Sequence, residues 1–65
     1  MDMLDVVTLL EDLPAEGLKK GDQGVIIDIF QEPTLAYEVE FCDSEGRTVA
    51  QVTLTSEQMK VVRHE

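Results

Sequence analysis

Four groups of side chains in this sequence are of types that could do chemistry. Glu38 and Glu40 alternate with Tyr37, Val39 and Phe41, so both carboxylates stand on one strand face. Their separation is about 7 Å, the two-residue rise of an extended chain. Paired carboxylates can divide acid and base duties when a cleft pushes their pKa values apart. No aromatic platform accompanies this pair and the alternation turns it to solvent, so a charged face is expected rather than a catalytic one. Cys42 and His64 are the only thiol and the only imidazole. A nucleophile needs a base that a third group orients, and no Asp, Asn or Gln is placed by its spacing to hold His64. Gly17 to Gly24 contains Lys19 and Lys20, yet it lacks Gly-Lys-Ser or Gly-Lys-Thr. It also leads into a strand, where a phosphate loop needs a helix N-terminus. Asp43-Ser44-Glu45-Gly46 is too short for a hard-cation loop. One Cys excludes an intrachain disulfide framework and every Cys-rich zinc module. No catalytic residue, metal or cofactor is expected, and the chain reads as non-enzymatic.

The charge narrows the partners. The chain has 65 residues with 14 Asp plus Glu against 5 Lys plus Arg, a formal charge of −9. That sign repels phosphate backbones and anionic headgroups, so neither nucleic acid nor a membrane is an expected partner. It would attract and steer a basic protein; an acidic surface also serves simply to keep a small domain soluble. Hydrophobic residues make up 43% of the chain, too many for a disordered acidic tail. The length allows one domain, residues 1–65, which would bury only about 60% of its unfolded surface. No apolar run nears the roughly 20 residues of a membrane span. Met1-Asp2-Met3-Leu4-Asp5 is acidic where a signal peptide would be basic, and a cytoplasmic location is expected.

Five apolar segments must position these groups. Leu4 to Leu10 is rich in β-branched residues and is followed by Pro14, which favours a strand over a helix. A long turning loop with three glycines and a proline between Pro14 and Gly24 follows, in which Leu13 and Leu18 are expected to tuck under as anchors. Gly24 to Phe30 is the strongest strand, with Val25, Ile27 and Ile29 alternating against Ile26, Asp28 and Phe30. Tyr37 to Phe41 alternates without fault. Asp43-Ser44-Glu45-Gly46 is a tight hairpin connection, and Arg47 to Leu54 is the fourth strand. Thr55 and Gln58 have capping spacing for a single turn before the strand-like Lys60-Val61-Val62-Arg63. The layout is that of an all-β, five-stranded SH3-like barrel with a long first loop and one 3₁₀ turn before the last strand. Its expected core is Val7, Leu9, Val25, Ile27, Ile29, Tyr37, Val39, Phe41, Ala50, Val52, Leu54, Met59 and Val62. Ile26 and Phe30 then fall on the opposite face, either as an exposed apolar patch with an acidic rim or covered by the 11–24 loop.

Asp5 to Pro14, then Gly17-Leu18-Lys19-Lys20-Gly21-Asp22-Gln23-Gly24-Val25, Tyr37 to Phe41 and Val52-Thr53-Leu54 together resemble a known family. Its members are small bacterial proteins, largely cyanobacterial, described only as a domain of unknown function. The resemblance implies an SH3-like barrel, no established activity, and a setting of toxin–antitoxin or immunity genes. Leu18 to Ile26 is also similar to the ribosomal-type turn of some nucleic-acid-binding barrels, but the basic face that such binding needs is missing. With no Trp and few aromatics, a proline-rich peptide groove is not expected either. The reading is therefore a module that binds a basic protein, in its most concrete form an antitoxin or immunity-type neutraliser. Glu32, Glu38, Glu40, Asp43 and Glu45, with Ile26 and Phe30, are its expected contact residues. The alternative is an accessory subunit whose apolar patch docks on a larger enzyme or electron-transfer complex.

Overall fold

Alternating β-branched and aromatic residues favour extended chain, and five such segments become strands. In the computed structural model, which describes residues 1–64, they are β1 (Val6–Leu9), β2 (Gln23–Phe30), β3 (Ala36–Cys42), β4 (Thr48–Leu54) and β5 (Met59–Arg63). All pair antiparallel in one sheet of order β4-β3-β2-β1-β5. There is no α-helix among the described residues, and there are two 3₁₀ turns where the sequence predicts one. The expected turn is Ser56–Gln58, where the Thr55 backbone N–H donates to Gln58 Oε1 at 2.9 Å. The additional turn, Pro14–Glu16, forms because Pro14 presets its φ and Gly17 closes it at a φ of 72°. It lies in the long loop, which folds on itself as Leu13 and Leu18 exchange backbone hydrogen bonds. Leu18 is buried in the core and Leu13 packs half-buried against it, the anchoring that the sequence predicts.

The core consists of Val7, Leu9, Leu18, Ile26, Tyr37, Val39, Phe41, Leu54 and Met59. On β3 the predicted alternation holds, with Tyr37, Val39 and Phe41 buried and Glu38 and Glu40 half-buried on the outer side. On β2 it is reversed as far as Ile27 and holds from Asp28 to Phe30. Ile26 is wholly buried, whereas Val25 and Ile27 are only half-buried. The register gives the reason: Ile26 lies opposite Val39 and Asp28 opposite Glu38, which leaves Ile27 without a counterpart. Such a bulge switches the inward face from even to odd positions. Gly24 and Ile26 point inward before it, and Ile29 packs against the core after it. Ile26 is therefore a core residue, and the expectation that it contacts a partner is corrected. Val25 and Ile27 leave the predicted core for the same reason.

Two further single-residue slips occur. Val62 is skipped between Val61, opposite Val7, and Arg63, opposite Val6. Val49 is skipped between Ala50, opposite Phe41, and Thr48, opposite Cys42. Both skipped valines are exposed, and Val61 takes the half-buried place against the core that the sequence assigned to Val62. Gly24 fills an inward position that admits no side chain. A Cβ there would come within 2.7 Å of Val39 Cγ1 and 2.9 Å of Phe41 Cδ2.

Candidate functional site

The β2 bulge has a consequence on the outer side of the sheet. It carries Asp28 directly opposite Glu38, and Glu40 follows two residues along β3, opposite Val25 on β2 and Gln51 on β4. Three carboxylates thus share one face. Gln51 Nε2 donates to Glu38 Oε2 at 3.0 Å and Thr53 Oγ1 donates to Glu38 Oε1 at 2.6 Å. Both donors stand on β4, so the Glu38 carboxylate leans over that strand. Asp28 Oδ1 accepts the Ile29 backbone N–H at 2.8 Å. Among the described residues, no basic side chain forms an ion pair with Asp28, Glu38 or Glu40. Phe30 stands two residues beyond Asp28, opposite Ala36 and 40% exposed, with exposed Leu35 beside Ala36. Glu32 is exposed in the turn that follows Phe30.

Asp43 and Glu45 lie at the other end of β3 and have internal duties. Asp43 Oδ1 accepts the backbone N–H groups of Glu45 at 2.9 Å and Arg47 at 3.0 Å, and its Oδ2 accepts Arg47 Nε at 2.9 Å. Arg47 Nη2 also reaches Glu45 Oε1 at 3.3 Å. The Arg47 backbone N–H, then that of Glu45 and the guanidinium, hold the Asp43 carboxyl below its ordinary value against the opposing effect of desolvation. These two acids build the β3–β4 turn, which Gly46 completes at a φ of 82°. The contact residues expected from the sequence are thus separated: Glu38 and Glu40 share the outer face, Phe30 stands at its end and Glu32 in the turn beyond, Asp43 and Glu45 are engaged by Arg47, and Ile26 is inside. Asp28 is the member that sequence reasoning missed. Alternation already turns Asp28 away from Ile29, but its place opposite Glu38 is a matter of register that the sequence does not show.

A second cluster joins sequence-distant residues. Asp5 is 2% exposed, and its Oδ2 accepts the Asp2 backbone N–H at 2.9 Å and lies 3.1 Å from His64 Nδ1. The Asp2 N–H is the main reason that the Asp5 carboxyl lies below its ordinary value. The hydrogen bond and charge of His64 and the N-terminal amine add to this effect, while burial opposes it. The sequence offered no group to orient His64, and Asp5 is that group. Asp2, Asp5 and His64 bring three possible ligand atoms within 4.8 Å of one another. Asp5 is already engaged by both neighbours, so the arrangement acts as a clamp between the two ends of the described chain. Cys42 is exposed beside a shallow depression lined by Val6, Gln23, Gly24, Val25, Glu40 and Arg63. Its volume of about 180 Å³ falls below the roughly 300–1,000 Å³ of small-molecule sites.

No curated protein matches the chain, and no solved structure matches it. One family model, described as a domain of unknown function (DUF4926), matches residues 3–61. That span takes in β1 to β4, the bulge at Ile27 and all three carboxylates of the outer face. On that coverage the chain belongs to the DUF4926 family.

Proposed function

We propose that this protein is a non-enzymatic interaction module that binds a basic protein through the outer face of β2, β3 and β4. The observation that carries the reading is the direct opposition of Asp28 and Glu38 across two strands. Like charges so placed destabilise a sheet, and a cationic partner relieves that repulsion when it binds. Glu40 extends the charge along β3, and Phe30 offers an apolar contact at the end of the face, in keeping with interfaces that combine an aromatic anchor and a polar surround. A bacterial, cytoplasmic antitoxin or immunity-type neutraliser is the most concrete form: the carboxylates would stand where phosphates stand and occlude a basic active site or nucleic-acid groove. The sheet order and the long first loop support reading the fold as an SH3-like barrel.

The test uses the tagged protein and a variant, Asp28→Asn with Glu38→Gln and Glu40→Gln, as paired baits in extracts of the host cells. The expected result is a basic protein that the parent retains, that rising salt releases, and that the variant fails to hold. Retention that ignores salt and is equal for both baits would overturn the reading in favour of apolar docking on a larger complex. Recovery of the protein alone as a monomer would overturn it outright.

A further inference from the structure

The two edges of the sheet are built differently. β5, at one edge, carries Lys60 and Arg63 and is broken by the slip at Val62. Charges and bulges are the usual devices that stop an edge from pairing with another chain. β4, at the other edge, has no charged residue. The uncharged run extends from Thr48 to Ser56, nine residues in a chain where 29% are charged, and no other uncharged stretch exceeds five. β4 contains no Pro, and its one slip, at Val49, lies near its start. It is joined to the sheet through β3 alone. Among the described residues, no turn or loop backbone bonds to Thr48–Leu54. The inward side chains of Ala50 and Val52 are only half-buried, so the core is incompletely covered along this edge.

The Glu38 carboxylate, which accepts from Gln51 and Thr53, is drawn over β4 toward this open edge. A strand added beside β4 would lie about 4.8 Å away, with side chains directly opposite Gln51 and Thr53. A lysine or arginine there can pass over the short Thr53 side chain to the Glu38 carboxylate. The next outward residue, two positions along, would approach Glu40 past Gln51. We propose that β4 accepts an extended partner segment carrying a basic residue at every second position, with main-chain bonds supplying the pairing and Glu38 reading the spacing. This rests on the basic-partner reading above and specifies how that partner is held. The net charge of −9 on each copy favours a cationic segment over a second copy of this chain.

The experiment uses a peptide alternating lysine and threonine, of the same length as β4, and the same peptide N-methylated along its backbone, which keeps every charge but removes the main-chain donors. The unmodified peptide is expected to bind and to slow amide exchange within Thr48–Leu54. The methylated peptide is expected to bind about tenfold more weakly or worse, a loss equivalent to one or more net hydrogen bonds. Equal binding of both peptides, lost in the Asp28→Asn, Glu38→Gln, Glu40→Gln variant, would overturn strand addition and leave the acidic-face reading standing. Binding of neither peptide would overturn strand addition, while the salt and bait comparison above judges the acidic face separately. Exchange protection that appears without peptide and rises with protein concentration would overturn it in favour of self-pairing.

Discussion

β2 and β3 are neighbours in the sheet, yet they relate sequence to structure in opposite ways. β3 is a strict alternation, and each of its residues from Tyr37 to Phe41 faces the side that its type demands. β2 has three aliphatic residues in succession, Val25-Ile26-Ile27, and the bulge resolves which of them enters the core. The difference shows that polar residues set the phase of a strand. Glu38 and Glu40 allow β3 only one orientation, because burying both would be costly. β2 has no polar residue between Gly24 and Asp28, so its partner decides: wholly buried Val39 needs an inward neighbour, and Ile26 supplies it.

The largest expected effect tests that contrast directly. Ile26→Ala should cost about 2–5 kcal/mol in chemical denaturation, whereas Ile27→Ala, at a half-buried bulge, should cost about 1 kcal/mol. Equal losses would mean that no bulge separates the two positions. Gly24→Ala should come next, at about 1–3 kcal/mol, because the new Cβ meets Val39, Phe41 and the Glu40 carbonyl with little room to yield. A loss near zero would show that β2 and β3 are less closely apposed than described.

How much was legible follows from the same residues. The five strands, the β3–β4 hairpin turn, the turn before β5 and the anchoring of Leu18 all arise from signals local in sequence, and each could be read. The three slips at Ile27, Val49 and Val62 could not be, since each skipped residue is a β-branched aliphatic that fits a strand in either phase. Two of the three carboxylates of the acidic face, Glu38 and Glu40, were visible as a pair. The outward side of Asp28 was visible too, but its opposition to Glu38 was hidden because that register depends on the bulge. The Asp5 contact was hidden for a different reason: its partner, His64, is at the far end of the chain, and spacing carries no information across that distance.

A smaller effect contrasts Asp5 with the acids of the outer face. Its folded-state pKa is depressed, so its contribution to stability is present above the ordinary Asp value of about 4 and is lost as pH falls through the depressed folded value. Asp5→Asn should therefore flatten the acid limb of a stability–pH profile measured by denaturation. An unchanged limb would remove Asp5 from the fold's acid response. The smallest effect has the opposite sign. Asp28→Asn preserves the Oδ1 acceptor for Ile29 and removes a charge facing Glu38, so it should raise stability by about 0.2–1 kcal/mol at low salt. A loss of stability would mean that the opposed carboxylates do not repel as the register implies.

One oxygen of Asp5 engages both Asp2 and His64, which makes the path of the chain nearly a ring. A short linker across that gap would add little closure entropy, and fresh ends cut within the exposed 31–35 turn would leave every strand ladder whole. Such a circular permutant would run β3-β4-β5-β1-β2 through an unaltered sheet. The ring-like path also means that the domain could sit in a loop of a larger host protein, entering and leaving at nearly the same point, with the acidic face and the β4 edge still outward.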